Sequence, residues 1–287
     1  MEQAVKSFDK LPLPVVRGTE ELWSLQVRIS VRPGSFLHIG GANTPLSDVK
    51  QQVFKVDGIP AIPATSLKGA LRHQLDLLFI EKGDAWARRL GVPRDALKPC
   101  IPSSDPTRAE RDALSGTYRV TLAKNHPQHC GIDSEHDKIT PYGGGVCPVC
   151  YFLGAPGLPG FVRVDNFFPE SRGAQSLRIE QPRLRIDREV TTAAHGALVT
   201  SEQVKPGTVF RGVVEICRHF SGFEFGRPRT IAGEQLDPWL VGTGMSLDEI
   251  RLFLVNECLL PALRNITVLG GQKSLGAGKV AVEVLSQ

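Results

Sequence analysis

The sequence predicts an α+β fold, and three observations support that class. Strand-like alternation occurs near both ends of the chain, apolar residues at helical spacing lie between them, and Gly and Pro supply 29 and 21 of the 287 residues. This surplus of Gly and Pro indicates many turns and non-helical loops. The length fits one elaborated domain or two modest ones, and we expect a single domain over residues 1–287.

The overall composition excludes several classes of protein. Hydrophobic residues make up 41% of the chain and charged residues 22%, which is typical of a globular protein rather than a disordered chain, a coiled coil or a collagen. The formal net charge of +4 permits an anionic partner without requiring one. The sequence lacks an apolar run of about 18 residues and a secretory signal, so we expect a cytoplasmic protein that does not enter a membrane.

Clear periodicity predicts the first strand and the first helix. Alternate residues over 22–31 are apolar, which predicts a half-buried strand. Thr65 or Ser66 can cap a helix whose apolar positions over 67–79 recur at helical spacing. A second short helix is expected over 84–90, stopped by the glycine that follows it.

The remaining elements continue this mixture of strands and helices. An irregular insertion is predicted over 93–160, with strands at 161–167 and 209–217 after it. A capped apolar helix is expected from 247 to about 260. The chain then forms a glycine loop and a final alternating strand over 280–284.

The segment IPATSLKGALR, residues 62–72, could bind phosphate. It combines a helix N-terminus, a cap hydroxyl, Lys68 and Arg72. Free N–H groups, the helix dipole and two cations together suit an anion. An ordinary capped helix with two solvated cations explains the same residues, so both interpretations stay open at this point.

The glycine loop GGQKSLGAGKV, residues 270–280, is a second candidate. Its glycines allow close backbone approach to a phosphate chain, and Lys273 and Lys279 add positive charge. The loop is not a Walker A motif, which requires GxxxxGK followed by Ser or Thr. A tight connection between two strands is the alternative interpretation.

A cysteine-rich segment predicts a structural zinc site. Cys147 and Cys150 form a CPVC motif, Cys130 lies upstream, and nearby histidines, of which we assign His126, offer a fourth ligand. Free thiols are the alternative, whereas a redox pair is disfavoured because no βαβ pattern surrounds the motif. The remaining cysteines are Cys217 and Cys258, expected in the core, and Cys100, whose role stays open.

An arginine-rich stretch with hairpin character joins two of the predicted strands. Arg183 and Arg185 alternate with Leu184 and Ile186, and Arg188 follows. Arginines interleaved with apolar side chains suit a nucleic-acid backbone. A charged, solvated strand edge has a similar composition.

The order of these segments resembles the RAMP superfamily of CRISPR-associated proteins. LHIGG, IPATSLKGALR, CPVCYFLGAPGLPGFVRVDN, the stretch from RIDRE to VKPGT, and GGQKSLGAGKV follow one another as in that family, between about residues 22 and 284. The chain looks most like the backbone subunit of type III effector complexes. This implies a modified RRM or ferredoxin-like palm, with a thumb hairpin at about 183–208 and a zinc-knuckle insertion. It also implies a protein that stacks in several copies along a guide crRNA, beside other effector subunits.

The resemblance further implies which residues contact RNA. In the family the SLKG helix and the glycine loop touch the guide backbone, and the hairpin interrupts pairing between guide and target RNA. The implied RNA-binding residues here are His38, Ser66, Lys68, Gly69, Arg72, Arg183, Arg185, Arg188, Gly271, Lys273 and Gly276.

Cleavage of the bound target RNA is also implied, at an aspartate in the loop after LHIGG, here Asp48. A carboxylate beside a kinked RNA can bind Mg²⁺ and support attack of a 2′-hydroxyl on the next phosphate. Three alternatives stay open: a backbone subunit without cleavage, a metal-independent repeat-RNA processing endonuclease that uses His38, and a zinc-stabilised module with no RNA role.

Overall fold

The structure is a computed structural model that describes residues 17–18, 22–41, 49, 51–101, 107–119, 130–131, 145–171, 177–186, 193–231 and 233–285. The strands are β1 (Arg17–Gly18), β2 (Leu22–Val31), β3 (Lys55–Val56), β4 (Ile59–Pro60), β5 (Val162–Val164), β6 (Phe168–Pro169), β7 (Arg178–Ile186), β8 (Ala193–Val204), β9 (Val209–Cys217), β10 (His219–Phe220), β11 (Phe223–Glu224), β12 (Thr230–Ile231), β13 (Glu234–Gln235) and β14 (Val280–Val284). The helices are α1 (Ala64–Leu90), α2 (Arg108–Leu114), α3 (Pro148–Leu153), α4 (Leu247–Leu252) and α5 (Leu260–Arg264). Short 3₁₀ turns cover Arg94–Leu97, Pro238–Leu240 and Lys273–Leu275.

An antiparallel sheet of six strands forms the centre of the described structure. β2 pairs with β9 along one edge and with β1 and β14 along the other, and β5 and β6 pair with the far edge of β9. The predicted alternation of β2 is confirmed, because its buried residues are Trp23, Leu25, Val27, Ile29 and Val31. The mixed α/β architecture with antiparallel sheets agrees with the predicted class.

The long helix α1 covers the apolar side of this sheet. Leu67, Leu71, Leu75 and Phe79 are buried in the same core as the apolar side chains of β2. The predicted caps at Thr65 and Ser66 are wrong, because both residues lie inside the helix. The helix follows Pro63, and the backbone N–H of Ala64 donates to Asn166 Oδ1 at 2.9 Å.

The predicted interruption between two helices is also wrong, because α1 runs unbroken for 27 residues. Gly83 does not end the helix; it makes room for Arg94. A Cβ atom at this position would lie 2.3 Å from the Arg94 Cζ atom. The Arg94 guanidinium lies across the helix there and donates to the carbonyls of Phe79 and Ile80 at 3.2 Å each. Gly91 then ends α1 in a left-handed conformation, as predicted.

The apolar helix near the C-terminus is confirmed together with its cap. The Ser246 hydroxyl accepts from the Glu249 N–H, and the Glu249 carboxylate accepts from the Ser246 N–H, which completes a capping box. A π-helical stretch over Phe253–Leu259 joins α4 to α5, and the face that includes Cys258 is buried. Cys217, at the end of β9, is buried as well, so both cysteines lie in the core as expected.

The arginine-rich stretch forms a two-stranded antiparallel ribbon of β7 and β8. The pairing runs from Arg178 opposite Val204 to Leu184 opposite Leu198, with a shift of register after Leu184. The base of β8 is attached to the rest of the chain by bridges from Val204 to Leu37 and from Ser201 to Gln51. Among the described residues, no helix is long and apolar enough to cross a membrane.

Candidate metal centre and nucleic-acid grooves

Four buried cysteines come together beside α3. The sulfur atoms of Cys100, Cys130, Cys147 and Cys150 all lie within 4.8 Å of one another, and the Cys100 and Cys150 sulfurs are 3.6 Å apart. Tetrahedral zinc with Zn–S bonds of about 2.3 Å requires sulfurs about 3.8 Å apart. The cluster therefore fits a structural Zn²⁺ bound by four thiolates.

Two arginines balance the charge that such a cluster carries. Arg119 Nη2 lies 2.7 Å from the Cys130 sulfur, and Arg72 Nη1 lies 3.4 Å from the Cys150 sulfur. Burial opposes the charged guanidinium groups, but the cysteines raise the pKa of both arginines above the ordinary value. Four thiolates and one Zn²⁺ leave two negative charges, which the two guanidinium groups offset.

The electrostatics of the cluster also favour a thiolate, the form that binds metal. Burial opposes ionisation of Cys147, but hydrogen bonds from the other three thiols and the charge of Arg119 lower the pKa of Cys147 well below its ordinary value. The Cys147 N–H donates to the Cys130 sulfur at 3.2 Å. The chain thus supplies both a deprotonated ligand and a backbone donor to the cluster.

The predicted ligands Cys130, Cys147 and Cys150 are all found in this cluster, and Cys100 takes the fourth position. His126, assigned to that position from the sequence, lies outside the described residues. A signal for Cys100 was available: once Cys217 and Cys258 are placed in core elements, four cysteines remain, the number that a closed zinc site needs.

A first groove lies between the N-terminal part of α1 and the glycine loop. It has a volume of about 640 Å³, and its lining includes Ser66, Gly69, Gly271 and Lys273. None of its lining residues is acidic. A Cβ atom at Gly69 would meet no other atom within 4 Å, so the helix backbone is open to a ligand at that point.

His38 lies behind this groove rather than inside it. Its side chain is 8% exposed, and Nδ1 lies 2.8 Å from the carbonyl oxygen of Glu202. The His38 carbonyl accepts from the Gly271 N–H at 2.8 Å and is so close to Gly270 that a Cβ there would lie 2.3 Å from the oxygen. The LHIGG segment and the glycine loop are therefore packed together through their backbones.

The glycine loop serves in part as the tight connection that the sequence allowed. Gly270 and Gly278 have positive φ angles and contact neighbouring backbone, so these two glycines are explained by packing. Gly271 and Gly276 have no such close neighbour. Gly276 ends the 3₁₀ turn outside the lining of the first groove, and its carbonyl accepts from the Ser35 hydroxyl at 3.0 Å.

Lys68 and Arg72 line a second groove, on the other side of α1. This groove has a volume of about 860 Å³ and is completed by residues 153–160 and 162–164. The structure thus divides the expected RNA-binding residues of α1 between two sites. Helical geometry already contains this result, because residues two apart, such as Ser66 and Lys68, point about 200° apart around the axis.

Other residues named from the sequence fall beyond the described part of the chain. Asp48 and Arg188 lie outside it. Arg183 and Arg185 belong to β7 through their backbone, and nothing is described of their side chains.

A buried polar junction at the base of β8 was not predicted. The Glu202 carboxylate lies 2.8 Å from Lys55 Nζ, accepts from the Val53 N–H at 3.1 Å and pairs with Arg178. Burial opposes its ionisation, yet these partners lower the pKa of Glu202 below its ordinary value. The signal in the sequence was a charged residue in an apolar strand, but its partners are distant in the chain.

The neighbours of Glu202 connect the same junction to the glycine loop. Gln203 Nε2 donates to Gln272 Oε1 at 2.7 Å, and Gln272 Nε2 lies 3.2 Å from the Ser201 hydroxyl and 3.1 Å from Gln51 Oε1. Residues 201–203 therefore bind three segments together: the LHIGG region, the chain around residue 51 and the glycine loop.

The comparisons with known proteins agree with the order of these segments. The model of the RAMP superfamily matches residues 34–281, most of the chain, so the protein belongs to the RAMP superfamily. Among solved structures, the chain is similar to one titled "Type III-B Cmr-beta Cryo-EM structure of the Apo state", with 18% identity over 92% of this chain and 98% of that one and a TM-score of 0.45. No curated protein matches the sequence.

Proposed function

We propose that this RAMP protein is a guide-RNA-binding backbone subunit of a type III CRISPR effector complex. The observation that carries the proposal is the first groove, which has no acidic lining residue and lies where the SLKG helix meets the glycine loop. Open helix backbone at Gly69 and the cation of Lys273 suit a phosphodiester chain. Several copies would stack along one crRNA, next to other effector subunits.

In this proposal each segment has a role. The central sheet with α1 and the C-terminal helices is the modified RRM or ferredoxin-like palm, the ribbon of β7 and β8 carries the thumb at about 183–208, and 93–160 is the insertion closed by zinc. The whole chain, 1–287, acts as one unit. The buried junction around Glu202 supports this arrangement, because it ties the ribbon to the groove-forming segments.

RNA binding is tested on the protein purified from cells that express a CRISPR array. We expect RNA of guide length to copurify, and we expect Lys273→Ala to reduce the amount. Lys98→Ala is the matched control, because Lys98 is paired with Asp95 on a surface away from both grooves. Protein free of RNA in every preparation would contradict the proposal and favour a zinc-stabilised module without an RNA role.

We further propose that the assembled complex cleaves target RNA at Asp48. The Asp48 carboxylate and RNA phosphates would bind Mg²⁺, which supplies charge stabilisation at the reacting phosphate. Because a single carboxylate binds Mg²⁺ weakly, cleavage should require the bound target.

The test of this second proposal is Asp48→Ala in the assembled complex. Guide loading should persist while cutting stops. Asp57→Asn is the control, because Asp57 lies in a turn with φ of 51°, a conformation that asparagine tolerates. Unchanged cutting by Asp48→Ala defeats the catalytic assignment and leaves a non-catalytic backbone subunit. Cutting of repeat RNA by the isolated protein in EDTA would instead support the processing endonuclease.

A further inference from the structure

The second groove is a cationic cleft with a rigid wall. Its lining contains three cations, Lys68, Arg72 and Arg163, and no acidic residue. One wall is the turn between Gly154 and Gly160, whose backbones touch: a Cβ at Gly160 would lie 2.2 Å from the Gly154 nitrogen. A wall with no room for a side chain keeps the width of the cleft fixed.

The cations of this cleft are not neutralised by the protein. Glu215 lies opposite Arg163 on β9, yet no carboxylate of the described residues lies within 4 Å of Arg163 or Lys68. Burial, and then the neighbouring Arg72, lower the pKa of Lys68. An anion placed between these groups would relieve their mutual repulsion.

Arg72 contributes a fixed charge to the floor of the cleft. Its Nη2 donates to the Gly154 carbonyl at 2.9 Å while Nη1 faces the Cys150 sulfur. These contacts hold the guanidinium in place between the candidate metal cluster and the groove. Lys68 and the exposed Arg163 are then the groups free to bind a ligand at the mouth of the cleft.

We propose that this second groove binds phosphates of single-stranded RNA at a site separate from the first groove. The proposal rests on the proposed function, since that function makes RNA the ligand. RNA is favoured over a protein segment because the cleft offers cations and backbone, while its larger apolar lining residues, Leu153, Leu158 and Val162, are buried beneath the surface. The two faces of α1 thus hold two stretches of RNA.

The test measures binding of a fluorescein-labelled single-stranded RNA to the full chain, by anisotropy over a range of salt concentrations. Arg163→Ala and Lys68→Gln should each weaken binding about tenfold at low salt, the loss expected for one charge-assisted contact. Each should also reduce the salt dependence by about 0.7 in log–log slope, as for one phosphate contact of a single strand. Arg211→Ala is the matched control, because this exposed arginine on β9 pairs with Glu170 outside the cleft. Equal melting temperatures and zinc contents show that the variants fold.

A first-groove variant, Lys273→Ala, separates the two proposals. If the grooves are separate, the losses in Arg163→Ala/Lys273→Ala multiply. Weaker binding by Lys273→Ala together with control-like binding by Arg163→Ala and Lys68→Gln would overturn the second groove and leave the proposed function standing. If the wild type does not bind RNA, or none of the three substitutions weakens it, both proposals are wrong. Normal RNA binding by Arg163→Ala with failure to join the effector complex would show that the cleft receives a protein segment.

Discussion

Gly69→Ala should raise the stability of the protein while weakening its binding to RNA. Gly69 lies near the start of α1, lacks a positive φ angle, and has no atom within 4 Å of the position that a Cβ would take. Replacing a helical glycine with alanine under these conditions contributes about 0.8–1 kcal/mol to folding. In a protein of this size that gain corresponds to a rise in melting temperature of about 2–4 °C.

The same methyl group points into the first groove, so it should act oppositely on RNA. If a phosphodiester approaches the helix backbone at Gly69, the added carbon displaces it and weakens one charge-assisted contact. Affinity should fall about tenfold, which equals about 1.4 kcal/mol. Calorimetry measures the first effect, and fluorescence anisotropy with a labelled single-stranded RNA measures the second.

Ala85→Gly is the matched control for this substitution. Ala85 is an exposed residue of the same helix and lines neither groove. It should lower stability by about 1 kcal/mol and leave RNA affinity unchanged. A stabilised Gly69→Ala protein that binds RNA as well as the wild type would refute the contact at Gly69, and a destabilised one would refute the open space assigned to it.

Three further predictions concern the metal cluster and buried charges. Cys100→Ala should lower zinc affinity by more than about 100-fold in competition with a chelator, whereas Cys258→Ala, equally buried but outside the cluster, should not. Asp237→Asn should lower the free energy of unfolding by about 3–5 kcal/mol in urea, because it leaves the Arg229 guanidinium buried without its carboxylate, both side chains being 0% exposed. Glu202 has a lowered pKa in the folded state, so its stabilisation is present above the unfolded pKa of about 4.3 and is lost as the pH falls through the folded pKa. Glu202→Gln should therefore flatten this acid-dependent loss in thermal melts, and an unchanged pH profile would contradict the role of the junction.

The elements that the sequence predicted well are those whose signal is local. β2 shows its alternation because one face of the strand is buried along its whole length. The capping box at Ser246 is likewise read from residues three apart. The interruption assigned to α1 failed because the function of Gly83 depends on Arg94, which contacts the helix only after the chain has turned back.

The candidate site shows the same division. The CPVC pair is a local motif, whereas Cys100 reaches the cluster from 30 residues before Cys130 and has no spacing signal of its own. Arg163, opposite Lys68 in the second groove, was likewise missed because only the fold brings β5 beside α1. Residues 201–203 were missed because their partners, such as Lys55 and Gln272, come from segments far apart in the chain.

The position of Cys100 and Cys147 in one cluster has a consequence for how this chain can change. The stretch 101–146 begins and ends at the same metal, and Cys130 divides it into two closed loops. Doubling the length of a flexible loop costs only about 0.6 kcal/mol of closure entropy, so insertions or deletions between the sulfurs alter stability little while the ligands remain. Relatives can therefore diverge in this stretch without repacking the sheet, and a reporter peptide inserted there would leave both grooves intact.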